Sequence, residues 1–174
     1  MKILLVVATK SEIIENKFKD CDVMVTGVGM VNTTSSLTKR LSEKSYDLVI
    51  NIGVAGSFNS AIKIGDVVEV IEDNFSEIGF EDGNSFSEFT NFRIENSFKV
   101  NEKTNLKKAK GITVNTVHGN KDSITEIVSR LNPDVESMEG ASVFKVCQEF
   151  TVPCMQIRAI SNKDTKNFRK ELSN

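Results

Sequence analysis

Residues 22–44 read DVMVTGVGMVNTTSSLTKRLSEK. A short apolar run, residues 22–26, is broken by Gly27-Val28-Gly29. From Met30 to Lys44 it is followed by Val31, Thr34, Leu37 and Leu41 at helix-compatible spacing. This is a strand, a glycine turn and a helix, the unit from which α/β folds are built. Outward from it, residues 2–8 are almost continuously apolar, the pattern of a strand buried on both faces in a largely parallel sheet. Residues 47–52 read as a third buried strand, and Gly53-Val54-Ala55-Gly56-Ser57 after it reads as a second glycine-bearing loop, its small residues permitting close backbone approach. Further strands are expected at 66–71, 111–116 and 154–160, with an extended piece at 134–137. Helices are expected at 122–131 and 139–150, the second burying Val143, Val146, Cys147 and Phe150. Strands alternating with helices predict a three-layer α/β/α sandwich around a mixed, mostly parallel central sheet. Residues 73–110 are acidic and rich in phenylalanine without a clear period, an excursion over the sheet that serves as core or as an interface.

The composition narrows the function classes. With 174 residues, 39% hydrophobic and 26% charged, the chain reads as a single domain spanning 1–174. Lys and Arg total 22 against 24 acidic residues, a formal charge of -2, so no basic stripe is present to attract nucleic acid. No apolar run approaches the ~20 residues of a membrane span, and residues 1–8 lack a cleavage pattern, which predicts a cytoplasmic protein without a membrane partner. Cys21, Cys147 and Cys154 sit sparsely among apolar neighbours and are expected as buried thiols rather than as a disulfide framework or a zinc site.

Open α/β sheets place their sites at the carboxyl ends of strands. The polar candidates there are Glu12, the 27–32 turn, the 53–57 loop, Glu136-Ser137-Met138-Glu139-Gly140, and residues 158–162. Each has a bland explanation by itself. Gly27-Val28-Gly29 lacks the third glycine of a dinucleotide fingerprint, Asn32 standing in its place, so a Rossmann cofactor site is rejected. Glu12 suits a helix's first turn whatever its function, and Ser137 is placed to cap the helix that Glu139 begins.

Taken together and in order, six segments resemble the nucleoside phosphorylase and nucleosidase superfamily, and within it most closely the futalosine hydrolases of the alternative menaquinone pathway. They are residues 8–12 (ATKSE), 26–33 (TGVGMVNT), 51–58 (NIGVAGSF) with 64–67 (IGDV), 113–119 (TVNTVHG), 135–141 (VESMEGA) and 157–162 (IRAISN). The resemblance implies that Glu12 activates the attacking water, that Glu139 binds the ribose 2′-hydroxyl and that Met138 packs beneath the sugar. It further implies that Gly29, Val54, Ala55, Gly56 and Ser161 line the substrate, with no metal or organic cofactor. Cleaving an N-glycosidic bond suits two carboxylates, because its transition state is an electron-poor oxocarbenium ion.

At the base-recognition position, adenine-specific relatives carry an aspartate, which can protonate purine N7, where this chain has Asn162. An amide protonates nothing; it donates NH to N7 or O6 and accepts from a ring NH, which matches a 6-oxopurine such as hypoxanthine. The resemblance also places Asn51 where phosphorylases carry a phosphate-gripping arginine, so water is the expected nucleophile. Arg158 is read either as an ion-pair partner of Glu12 or Glu139 or as a substrate contact. Lys10, Lys163 and Lys166 are the positional candidates for the substrate's benzoate. Relatives are commonly homodimers or larger homo-oligomers, and they continue beyond the Asn162 segment into a helix covering the site. This chain stops twelve residues after Asn162, so that helix is expected to be missing or differently built.

Overall fold

The computed structural model describes residues 1–14, 17–83, 85–89 and 91–163. Ten strands are present among these: β1 Ile3–Val7, β2 Asp22–Val25, β3 Leu48–Ser57, β4 Val67–Phe75, β5 Phe80–Asp82, β6 Ser85–Ser87, β7 Ser97–Lys99, β8 Lys107–Thr113, β9 Val135–Ser137 and β10 Cys154–Lys163. The helices are α1 Met30–Glu43, α2 Lys121–Leu131 and α3 Gly140–Glu149, with a 3-10 turn at Lys10–Glu12.

The main sheet runs β10-β4-β8-β9-β3-β1-β2, and β10 also pairs with β3. That extra pairing corrects the open sandwich expected from sequence: five strands, β10, β4, β8, β9 and β3, close into a barrel-like ring, from which β1 and β2 extend as a wing. Its interior is filled by small and branched residues from all five, Ala55, Val68, Val70, Ala109, Val135 and Ile160. The sheet is mixed, with parallel pairings in the majority, as expected.

A second apolar cluster joins β1 and β3 to α1 and α3 through Leu4, Val6, Leu37, Leu41, Val49, Val143, Phe144 and Cys147. In α1 the buried face is Thr33, Leu37 and Leu41, four residues apart, whereas Val31 and Thr34 face out. In α3, Val143, Val146 and Cys147 are buried as expected, while Phe150 lies past the helix end and is partly exposed. The α1 entrance turns on Gly27 and Gly29, with φ of 88° and 94°, a region costly for any residue with a Cβ.

Three strands run past the ends the sequence suggested: β4 continues to Phe75, and the other two, β3 and β10, line the cleft described below. β3 continues unbroken through residues 53–57, so the second glycine loop is strand; its pairing to β10 on one side and β9 on the other overrides the weak strand propensity of glycine and alanine. β10 likewise continues to Lys163. The phenylalanine-rich segment divides: Phe75 and Phe98 meet edge to face in the core, while Phe80, Phe89 and Phe92 cluster at the surface beyond the small β5–β6 hairpin. Cys147 and Cys154 are buried free thiols and Cys21 is half-buried. No described helix is long and apolar enough to cross a membrane.

Glu69 anchors the 101–106 connection to β4. Its buried carboxylate accepts from the backbone N–H of Lys103 (2.7 Å) and Thr104 (3.0 Å), the Thr104 hydroxyl (2.7 Å) and Lys108 Nζ (2.8 Å). Burial alone would raise its pKa, but these donors overcome it and bring the group to about 2. A depressed carboxyl stabilises the fold above its ordinary pKa, and the contribution fades as pH falls toward the depressed value. Glu69→Gln is therefore expected to cost about 2–4 kcal/mol in urea unfolding at neutral pH, with the difference from wild type shrinking as pH falls from about 4.5 toward about 2.

Candidate active site

β3, β9 and β10 bring their ends together, and the 3-10 turn and the α1 entrance close over them. Gly56 of β3 pairs with Glu136 of β9 on one side and Asn162 of β10 on the other, so Asn162, Gly56 and Glu136 form one row across three strands. The β10 register slips between Ile160 and Asn162, leaving Ser161 as an extra residue. This bulge lets the consecutive residues Ser161 and Asn162 both line the same cleft, which strict alternation would forbid.

The cleft has a volume of about 480 Å³ and is lined by Glu12, Val54, Ala55, Gly56, Met138, Glu139, Ser161 and Asn162, among others. All of the residues expected from sequence thus gather at one place except Gly29, which reaches it indirectly by donating its N–H to Glu139 Oε1 (3.0 Å). A second hollow of about 500 Å³, bounded by Met30, Val31, Phe75, Ile78 and Ser142, is almost wholly apolar, with Glu77 the ionisable group on its wall. The carboxylates of Glu12 and Glu139 converge in the 480 Å³ cleft.

Glu12 ends the 3-10 turn, and its Oε2 accepts from the Thr9 backbone N–H (2.8 Å) and more distantly from the Thr9 hydroxyl (3.4 Å). The helix-start role foreseen for Glu12 is therefore real, and it fixes the carboxylate in the cleft wall. Glu139 stands at the N-cap position of α3 without a capping bond from its side chain, while Ser137 Oγ accepts from the Gly140 N–H (3.3 Å), as expected for a capping serine. Ser161 Oγ donates to Asn162 Oδ1 (2.9 Å), orienting the amide. Glu136, a candidate to which the sequence assigned no role, is buried and holds the chain's lone histidine through both oxygens: the His118 N–H at 2.9 Å and its Nδ1 at 2.6 Å.

Arg158, left open by sequence, lies behind the cleft with 1% exposure. Its Nη1 is 3.9 Å from Glu139 Oε2, its Nε donates to Gln156 Oε1 (2.8 Å) and its Nη2 donates to Asn51 Oδ1. Burial lowers its pKa, opposed by the charges of Glu139, Asp73 and Glu12. Asn51 also donates to the Val6 carbonyl (3.2 Å), so it supports Arg158 from inside the sheet. Sequence reading found no cation at Asn51; the fold carries one there from β10, with two of its three nitrogens committed to amide oxygens. Of the lysines considered for a benzoate, Lys10 is exposed on the 3-10 turn, Lys163 turns its Nζ to the carbonyls of Asn59 (2.8 Å) and Ile62, and Lys166 lies outside the described residues.

The sequence signature of the Phosphorylase superfamily matches residues 9–173, and the chain belongs to that family. It is 31% identical over 151 residues to an aminodeoxyfutalosine nucleosidase of Campylobacter jejuni, an alignment covering 78% of this chain and 65% of that enzyme. It is also 31% identical over 176 residues to a 5′-methylthioadenosine/S-adenosylhomocysteine nucleosidase of Buchnera aphidicola, covering 90% and 75%. In fold it is similar to a Helicobacter pylori MTAN variant solved with 5′-methylthioadenosine in the active site (TM-score 0.84, 21% identity, 99% of this chain and 90% of the other). It is similar also to the native futalosine hydrolase of that organism (TM-score 0.83, 21% identity, 99% and 89%).

Gly53, paired with Arg158 across β3 and β10, tests this arrangement. A Cβ there would stand 2.4 Å from Arg158 Nη1 and 2.9 Å from Glu12 Oε1. Gly53→Ala must displace one of the two, and with the guanidinium buried the expected cost is about 1–3 kcal/mol in chemical unfolding; a variant as stable as wild type would contradict this packing.

Proposed function

We propose that the chain is a purine nucleosidase that hydrolyses the N-glycosidic bond of futalosine, releasing hypoxanthine and dehypoxanthinyl futalosine. The reading rests above all on Asn162, an oriented amide in the same cleft as Glu12 and Glu139. In this reading Glu12 takes a proton from water, and Glu139 binds the ribose 2′-hydroxyl and stabilises the cationic sugar. Met138 and the bare backbone of Gly56 give the sugar and base an apolar bed. Asn162 donates to N7 or O6 of the departing hypoxanthine and leaves protonation of the base to solvent. Water is the nucleophile, because the guanidinium beside Asn51 spends its Nε and Nη2 on amide oxygens. The reading carries with it a cytoplasmic homo-oligomer that needs no metal or organic cofactor.

A second reading, a methylthioadenosine or S-adenosylhomocysteine nucleosidase, is favoured by the Buchnera relative, whose identity equals that of the Campylobacter enzyme. Incubating the protein with futalosine, inosine and methylthioadenosine side by side in saturating phosphate separates the two. Hypoxanthine from futalosine with no sugar 1-phosphate is the expected result, whereas adenine release would establish the second reading and a phosphate ester would make the enzyme a phosphorylase.

Asn162→Asp replaces a neutral donor and acceptor with a group that must be protonated before it donates. The ratio of kcat/KM for futalosine to that for an otherwise identical aminofutalosine is expected to fall roughly tenfold or more in this variant. An unchanged ratio would show that Asn162 does not read the base.

A further inference from the structure

Behind the cleft, a chain of buried polar groups runs from the start of α3 to Arg158. The Ala141 N–H donates to Thr113 Oγ1 (2.7 Å), and Thr113 Oγ1 donates to Asp73 Oδ1 (2.9 Å). Gln156 Nε2 donates to Asp73 Oδ2 (2.9 Å), and Arg158 Nε donates to Gln156 Oε1 (2.8 Å). Asp73, Thr113, Gln156 and Arg158 are all buried. Two glycines make room: a Cβ on Gly140 would lie 2.2 Å from Asp73 Oδ2 and 2.4 Å from Gln156 Oε1, and one on Gly111 would lie 3.0 Å from Asp73 Oδ2.

The chain has a direction. A glutamine amide can turn either end toward a neighbour, and only its oxygen can receive a guanidinium N–H. Asp73, an acceptor on both oxygens when ionised, forces the Gln156 NH2 toward itself and so the Gln156 oxygen toward Arg158. Thr113 adds to this polarity, since the helix N–H occupies its oxygen and its proton goes to Asp73. From this geometry we infer that Asp73 and Gln156 are positioning residues for the reaction: they fix the Arg158 guanidinium so that Nη1 faces the two site carboxylates, Glu139 and Glu12. The inference rests on the nucleosidase reading of those carboxylates. Burial pushes the Asp73 carboxyl up to about 6, against the bonds from Gln156 and Thr113 and the charge of Arg158, so the group is ionised at neutral pH as the chain requires.

Exchanging the two ends of the relay tests it. In Asp73→Asn, an amide NH2 faces Gln156, which must turn its own oxygen back and present NH2 to Arg158. In Gln156→Glu, two carboxylates face each other. In the double variant D73N/Q156E, the oxygen of the introduced amide would accept from Thr113, the NH2 of that amide would donate to the introduced carboxylate, and the carboxylate would accept from Arg158; the bond between positions 73 and 156 then runs the other way, but the net charge and the acceptor facing Arg158 are both restored. Each single variant is expected to lose about tenfold or more in kcat with KM within about twofold, and the double variant to recover most of it. Thr113→Val, which removes the acceptor of the Ala141 N–H and a donor to Asp73 without turning Gln156, is expected to lower the melting temperature at least as much as Asp73→Asn or Gln156→Glu while costing less in kcat than either.

Single variants with wild-type kcat would overturn the inference. So would a double variant no better than the worse single one, or a kcat that simply follows melting temperature across all four proteins. The assay uses whichever purine nucleoside the wild type cleaves, and a wild type inactive on all of them defeats the nucleosidase reading instead. The arrangement is then still read without turnover: the Arg158 Nε–H resonance should be protected from exchange in wild type, lose protection in Asp73→Asn and regain it in the double variant. Equal protection in all three would refute the relay.

Discussion

A guanidinium taken out of water must be met by acceptors on every side, and Arg158 imposes that requirement on the middle of this fold. Asn51 comes from β3, Gln156 from β10 itself, and Glu139 from the start of α3; Gly53 is bare because Nη1 occupies the space a side chain would take. Those demands reach further, to Asp73 on β4 and Thr113 on β8. Strands distant in sequence are thereby tied to one charge, and the closed ring gives them the fixed spacing on which such a network depends. The cleft lies against it, so the placing of the cleft carboxylate Glu139 and the burial of a full charge are met by the same contacts.

The sequence made the α/β character and most elements legible. The strand, turn and helix of residues 22–44 stand where periodicity and glycine placed them, as do β1, α2, β9 and α3 to within a few residues. What it could not show was closure of the sheet. Gly53-Val54-Ala55-Gly56-Ser57 has the local chemistry of a loop, and it becomes strand only because β10 and β9 flank it, contacts about 80 to 100 residues away in sequence. The same non-local origin explains Val31: helical spacing put it on the inner face, but Thr33 is the residue that meets the sheet.

For the site, the resemblance to a known superfamily carried further than local pattern. Glu12, Glu139, Met138 and Asn162 were each ambiguous alone, and the structure assembles them around one cleft. The supporting residues were harder to see, although one signal was available. Gln156 is an amide in a strand expected at 154–160 whose other members, Arg158 apart, are apolar, and a polar group in such a place needs a dedicated partner. Asp73 gave less away, because it lies at the edge of an acidic stretch whose other members face water. Glu136 was hidden by its neighbours in the motif, and its grip on His118 depends on a loop returning from β8.

The row Asn162, Gly56, Glu136 also sets a gauge. Paired residues in adjacent strands rise on the same face of a sheet, and the central one here has no side chain. The two outer residues therefore stand two strand spacings apart, roughly 9.6 Å, over a floor of plain backbone. That width is held by the hydrogen-bond ladder and not by the size of any side chain, so substitutions on either wall alter the chemistry of the walls while the slot itself keeps its breadth.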